Sequence, residues 1–162
     1  MSGVITSVEY SLGFIIHEGR ILLGMRETGI GKGCWSGLGG HVEPDETSLE
    51  CLIREFEEES GIIVREAEHV ASLRAIRHTE DEVALVDIFI VTKTDSNKAF
   101  PSDEISEFQW FSLNALPYSQ MIDDSRHWLP DLLQQHDGFL SITFETKPDG
   151  VVTSITYSHP QA

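Results

Sequence analysis

Three glutamates, Glu55, Glu58 and Glu59, stand at i, i+3 and i+4. On an α-helix that spacing puts three carboxylates on one face, near enough to share a ligand. Carboxylates crowded on one patch repel unless a cation sits among them. Hard oxygen ligands suit Mg²⁺, with Mn²⁺ as a substitute. Two neighbours extend the set. The turn Gly37-Leu38-Gly39-Gly40 lets backbone approach a ligand closely, so the Gly40 carbonyl is a candidate further ligand. Arg54 carries a planar fork that can orient a carboxylate through two parallel hydrogen bonds.

The element that must hold these groups reads as a helix over Thr47 to Ser60. Leu49, Leu52, Ile53 and Phe56 fall on one apolar stripe, and Glu50 and Glu57 point toward solvent. Thr47 and Glu50 form a capping-box pattern at the start. Gly61 can take the left-handed conformation that stops a helix, with Ile62 folding back on Phe56. A solvated acidic face on an ordinary amphipathic helix is the commonplace meaning of Glu-x-x-Glu-Glu. It leaves unexplained why the glycine turn, Glu46, the Arg54-Glu55 pair and the Gly61 stop occur together.

Around that helix the chain alternates. Val8 to His17 and Arg20 to Met25 predict a hairpin about His17-Glu18-Gly19, followed by a Gly-rich loop from Thr28 to Gly33. Val64 to Arg77 and Val83 to Thr92 predict two strands joined through Thr79-Glu80-Asp81-Glu82, and Glu107 to Phe111 another. Asp123 to Gln135 predicts a second helix, capped by Asp123 or Asp124, in which Pro130 either sits in the first turn or makes a kink. Phe139 to Glu145 and Val151 to Tyr157 predict a closing hairpin about Lys147-Pro148-Asp149-Gly150. The order strands, helix, strands, helix, strands predicts an α/β (α+β) architecture: a mixed sheet covered by helices on its faces. No linker or repeat divides residues 1–162, so one domain is expected.

From Gly40 to Ile62 the pattern Gly-x5-Glu-x7-Arg-Glu-Phe-x-Glu-Glu-x-Gly-Ile resembles the Nudix box, the signature of hydrolases acting on a nucleoside diphosphate linked to another moiety. The resemblance implies an αβα sandwich, a Mg²⁺ requirement and cleavage of a phosphoanhydride. Outside the box, Ile21 to Arg26 and Gly29 to Gly40 resemble the oxidised-purine nucleoside triphosphatase branch of that family. Ser102-Asp103-Glu104, Trp110-Phe111, Leu116-Pro117, Asp123-Asp124-Ser125 and Trp128-Leu129-Pro130 follow in that branch's order.

Carried over by resemblance, Glu55, Glu58 and Glu59 hold the metals. Glu104 faces the metal site from a loop, as ligand or base. Ser11 lies on the strand lining the nucleobase pocket, and Trp35 near its floor. Ser36 replaces an Asn that would bond the purine edge, while Ile30 and Leu38 replace aromatics. His41 follows the glycine turn and could approach a phosphate. The largest departure is Met121-Ile122-Asp123-Asp124, where the branch has Trp-Pro-Asp-Asp. Either Asp123 and Asp124 read the base, or Asp124 does so with Ser125 in place of the second acid.

The bulk charge constrains partners. Eleven basic residues against 27 acidic give a net charge of −16. That field disfavours nucleic acid and anionic membrane, and it would repel a nucleotide substrate unless the site supplies positive charge of its own. Cys34 and Cys51 make neither a disulfide framework nor a zinc spacing, and the N-terminus lacks the marks of a signal peptide. A reduced, cytoplasmic setting is expected, for a monomer or a homodimer. The expected function is hydrolysis of an oxidised purine nucleoside triphosphate to the monophosphate and pyrophosphate. The alternatives are hydrolysis of ADP-ribose or a dinucleoside polyphosphate, and a binding module without catalysis.

Overall fold

A computed structural model describes residues 6–77, 82–134, 139–147 and 152–158. The joints expected at 79–81 and 148–150, and the helix end expected at Gln135, lie outside these residues. Nine strands and two helices follow in order: β1 (Thr6–His17), β2 (Arg20–Arg26), β3 (Trp35–Ser36), β4 (Leu38–His41), α1 (Ser48–Ser60), β5 (Val64–Arg77), β6 (Glu82–Thr94), β7 (Ile105–Ser112), α2 (Ser125–Leu133), β8 (Leu140–Thr146) and β9 (Val152–Ser158). A 3-10 turn at Tyr118–Gln120, which the sequence pattern did not announce, precedes α2.

The strands run β3-β2-β1-β6-β5-β8-β9, with β4 added to β1 and β7 to β2. The sheet is mixed as expected: β1 pairs parallel with β6 and β5 parallel with β8, while the other pairs are antiparallel. Glu18 and Gly19, both at positive φ, make the tight β1–β2 turn.

Alternation along the central strands explains why both faces are covered. On β1, Phe14 joins the cluster that holds Trp128 and Leu129 of α2, while Ile15 joins the cluster that holds Leu52 and Phe56 of α1. On β2, Ile21 and Leu23 go one way and Leu22 the other; on β6, Ile88 goes one way and Phe89 the other. The result is the αβα sandwich, one helix layer per face. Gly13 permits the close seat of α1, because a Cβ there would lie 2.6 Å from Leu52 and 2.9 Å from Phe56.

Two helix expectations change. Leu49, placed on the buried stripe, is 40% exposed. The seat of α1 is rotated toward Cys51, Leu52, Glu55, Phe56 and Glu59, so burial reaches into the acidic face. In α2, Asp124 precedes the helix but makes no side-chain cap, and Pro130 lies inside the helix beyond its first turn. No helix among the described residues is long and apolar enough to cross a membrane.

Candidate active site

The site begins with how α1 is held at both ends. The Thr47 hydroxyl accepts from Glu50 N–H at 3.1 Å, and the Glu50 carboxylate accepts from Thr47 N–H at 2.9 Å, completing the capping box. Gly61 closes the helix at φ 79°. Its N–H donates to the Glu57 carbonyl at 2.8 Å, and Ile62 joins Phe56 in the core. These local devices fix the rotation and length of the helix, and hence where its carboxylates emerge.

Glu55, Glu59 and Glu104 converge, with one carboxylate oxygen from each within 4.8 Å of the others. Glu104 arrives from the loop before β7. Ser102 Oγ anchors that loop by donating to the Glu59 carbonyl at 2.9 Å, and Glu27 N–H ties it to the end of β2 by donating to the Glu104 carbonyl at 2.8 Å. Gly40 faces the cluster from β4, and a Cβ there would lie 2.7 Å from the Glu55 carboxylate. Its carbonyl also receives a long contact from Cys51 Sγ at 3.6 Å. Glu58 lies on the solvent side, half exposed, and accepts from Arg54 at 3.2 Å.

Arg54 is the hub of the outer ring. It donates to Glu46 through Nε and Nη2 at 3.1 and 2.6 Å, to Glu55 at 2.9 Å, and to the His41 carbonyl at 3.2 Å. These bonds hold Glu46 ionised, with its pKa lowered to about 2, chiefly by the hydrogen bond from Arg54. The inner carboxylates behave oppositely. Burial raises Glu55, against the opposing pull of Arg54, with Glu58 and Glu104 adding to the rise. Burial raises Glu59 to about 7, although Arg26 and the Gly39 N–H pull it down. Buried hard-oxygen donors, pushed toward protonation when alone, are a donor set that fits a divalent cation.

A cavity of about 400 Å³ runs from this cluster under the β1–β6 face to α2. Its walls include Tyr10, Leu12 and Phe14 of β1, Leu73 and Ala75 of β5, and Trp128 of α2. Ile30, Met121, Ile122, Asp124 and Ser125 also line it, as do Ser36 and His41. His41 sits edge-on to Tyr10, with ring centroids 5.4 Å apart. Asp124 accepts from Trp128 Nε1 at 2.8 Å, which holds both groups at the wall.

Two residues assigned to the substrate lie elsewhere, and a third only borders the cavity. Asp123 turns away from the cavity. It pairs with Arg126 at 3.2 Å and accepts from Val152 N–H at 3.4 Å, toward the start of β9. Trp35 is buried in the core against Phe111, with ring centroids 5.1 Å apart, because its strand pairs it with Met25. Ser11 shares a β1 face with Gly13 and Ile15, the face under α1. Its hydroxyl lies beside the Cys51 thiol and makes no hydrogen bond within ordinary limits. Ser11 nonetheless borders the cavity.

Arg26, the last residue of β2, was not singled out by the sequence pattern. It lies at the junction of the two regions. Its Nη1 and Nη2 donate to the two oxygens of Glu59 at 2.9 and 3.2 Å, and Nη2 also donates to the Gly39 carbonyl at 3.1 Å. The one sequence signal was an Arg closing the run Ile21 to Met25.

Comparison with known proteins agrees with this geometry. The NUDIX domain model matches residues 10–132. The oxidized purine nucleoside triphosphate hydrolase of Danio rerio is 36% identical over 130 residues, 80% of this chain and 82% of that protein. The ADP-ribose pyrophosphatase of Methanocaldococcus jannaschii is 30% identical over 124 residues, 72% and 71% of the two chains. The mutator MutT protein of Bacillus halodurans, at 21% identity, superposes with a TM-score of 0.78 over 93% of this chain and 97% of its own, a likeness of fold. With its box helix intact, its carboxylates gathered and about three quarters of its length matched by the domain model, the chain belongs to the Nudix family.

Proposed function

We propose that this Nudix protein, as a single domain over residues 1–162, hydrolyses a phosphoanhydride bond of an oxidised purine nucleoside triphosphate, releasing the nucleoside monophosphate and pyrophosphate. The observation that carries the reading is the continuity of the carboxylate cluster with a base-sized cavity whose wall holds Asp124. The similarity to an oxidized purine nucleoside triphosphate hydrolase supports it. The setting is cytoplasmic, and the acidic surface excludes nucleic acid and anionic membrane as partners.

Glu55, Glu59 and Glu104 would hold Mg²⁺, or Mn²⁺ in its place, with Glu58 and the Gly40 carbonyl completing the set. The bound ions would supply neutralisation of phosphate oxygens and acidification of water. The chain's own groups do the rest. Arg54 fixes the orientation of Glu55 from behind. Glu55 or Glu104 takes the proton from the attacking water as its oxygen bonds to phosphorus. The anhydride P–O bond then breaks, and its electron pair leaves with pyrophosphate. The apolar wall keeps water from the base, and Asp124 accepts hydrogen bonds from donors on the base edge, with Ser125, Ser36 and His41 at the rim.

One feature favours a second reading, hydrolysis of ADP-ribose or a dinucleoside polyphosphate. Met121 and Ile122 offer no aromatic face for stacking where the branch has Trp-Pro, and a change of a few pocket side chains can redirect specificity. A module that binds without catalysis is disfavoured, because every box carboxylate is present. Comparison of kcat/KM with Mg²⁺ across oxidised and normal purine triphosphates, ADP-ribose and a dinucleoside polyphosphate tests the proposal. Preference for an oxidised purine triphosphate with release of pyrophosphate is expected. Preference for ADP-ribose or the dinucleotide would replace the first reading with the second.

A further inference from the structure

The hydrogen bonds around Arg26 tie three separate elements to one carboxylate. Its guanidinium spans both oxygens of Glu59 on α1, reaches the Gly39 carbonyl on β4, and itself ends β2. The Gly39 N–H donates to the same carboxylate at 3.0 Å, so Glu59 is held by three donors in a fixed orientation. Glu59 is 1% exposed and the Arg26 side chain 13%. A carboxylate buried this deeply is costly to keep charged without a partner. Its partner must also leave a lone pair free toward Glu55 and Glu104. A planar fork approaching from one side does both, which a rotating ammonium point charge does not.

Arg26 is also the one Arg or Lys among the described residues that line the cavity. Arg54 plays a comparable part for Glu55, but from the partly buried outer ring and from the same helix. Arg26 does so from the opposite side and from a different strand.

We propose that Arg26 is a positioning residue for the metal centre, whose fork holds the Glu59 carboxylate aimed at the point shared with Glu55 and Glu104. This rests on the metal reading given above. Loss of the fork would leave Glu59 free to rotate, and the site would bind its cation more weakly while the nucleotide pocket kept its shape.

The test is direct binding of Mn²⁺ to the substrate-free protein, followed by electron paramagnetic resonance. The variants are Arg26→Lys, Glu59→Gln, the double variant and Arg65→Gln, each checked for folding by circular dichroism and melting. Arg26→Lys keeps the charge and loses the fork, and it should weaken Mn²⁺ binding by about tenfold or more, the scale seen when the partner of a metal ligand is removed. In the Glu59→Gln background Arg26→Lys should add no further loss, since Arg26 acts through Glu59. Arg65→Gln removes a surface Arg paired with Asp95 and should leave Mn²⁺ binding unchanged. Folded Arg26→Lys that binds Mn²⁺ as tightly as the natural chain, or additive losses in the double variant, would overturn the role of Arg26 alone. A natural chain that binds no Mn²⁺ would overturn the metal reading and the Arg26 role with it. At saturating metal, a fall in kcat with KM for nucleotide held supports positioning, and a rise in KM alone overturns it.

Discussion

At the scale of single residues, the two kinds of glutamate on α1 should separate in kinetics. Glu55→Gln, Glu58→Gln and Glu59→Gln are each expected to lower kcat on the order of 10²-fold, the loss typical of one preorganised electrostatic element. Glu57→Gln, on an exposed residue of the same helix, should cost almost nothing. Equal losses at Glu57 and Glu59, measured under saturating Mg²⁺, would sink the assignment of faces. Gly40→Ala provides a second test from the other side of the site. The new Cβ would need the space now filled by the Glu55 carboxylate, 2.7 Å away, so kcat should fall although no ionisable group is removed. The box carboxylates were legible in the sequence because their spacing is local to one helix. Glu104 was legible only through family resemblance, since it comes from a distant loop. Arg26 lies 33 positions from Glu59, and no periodicity links them. Asp123 and Asp124 are neighbours of the same type, and only the packing of Trp128 and β9 decides which faces the cavity.

At the scale of elements, α1 carries the site, so the devices that hold it bear on both stability and rate. Gly61 sits at φ 79°, where an added Cβ is strained, and Gly61→Ala should destabilise the fold by about 1 kcal/mol in urea unfolding. The Glu46–Arg54 bond predicts an acid effect. The folded-state pKa of Glu46 is lowered from 4.5 to about 2, so its contribution is complete above about pH 4.5 and fades as pH falls through about 2. The melting temperatures of natural and Glu46→Gln proteins should therefore differ near neutrality and converge toward pH 2. A difference that grows on acidification would refute the link. The bounds of α1 were readable because its caps are local chemistry, a Thr-x-x-Glu box and a glycine stop. The rotation that exposes Leu49 and buries Glu59 was not, because it depends on where Gly13 lets Leu52 and Phe56 settle against β1. Asp124 stands at the N-cap position of α2, one of the two expected, but its carboxylate bonds Trp128 and not the backbone of the first turn.

At the scale of the whole molecule, a protein of net charge −16 must admit a polyanion. The cations in the matched site are few: Arg26 is committed to Glu59 and Arg54 to Glu46, Glu55 and Glu58. The long-range field therefore opposes approach of the substrate until it comes within reach of bound metal. Screening shortens that field from about 30 Å at 0.01 M ionic strength to about 8 Å at 0.15 M. With Mg²⁺ held saturating, kcat/KM for the triphosphate should therefore rise as inert salt increases over this range, and kcat should change little because the buried carboxylates are screened less. The opposite slope, a fall in kcat/KM with salt, would mean that local positive charge at the cavity mouth already governs capture. In that case the acidic surface would serve only to keep the chain soluble and apart from other polyanions. The measurement separates these because steering acts on encounter, while the chemistry inside the cavity is insulated from bulk salt. A rising slope would leave Glu55, Glu59 and Glu104 with two tasks, gathering the cations that do the chemistry and, through them, cancelling the repulsion that the rest of the chain creates.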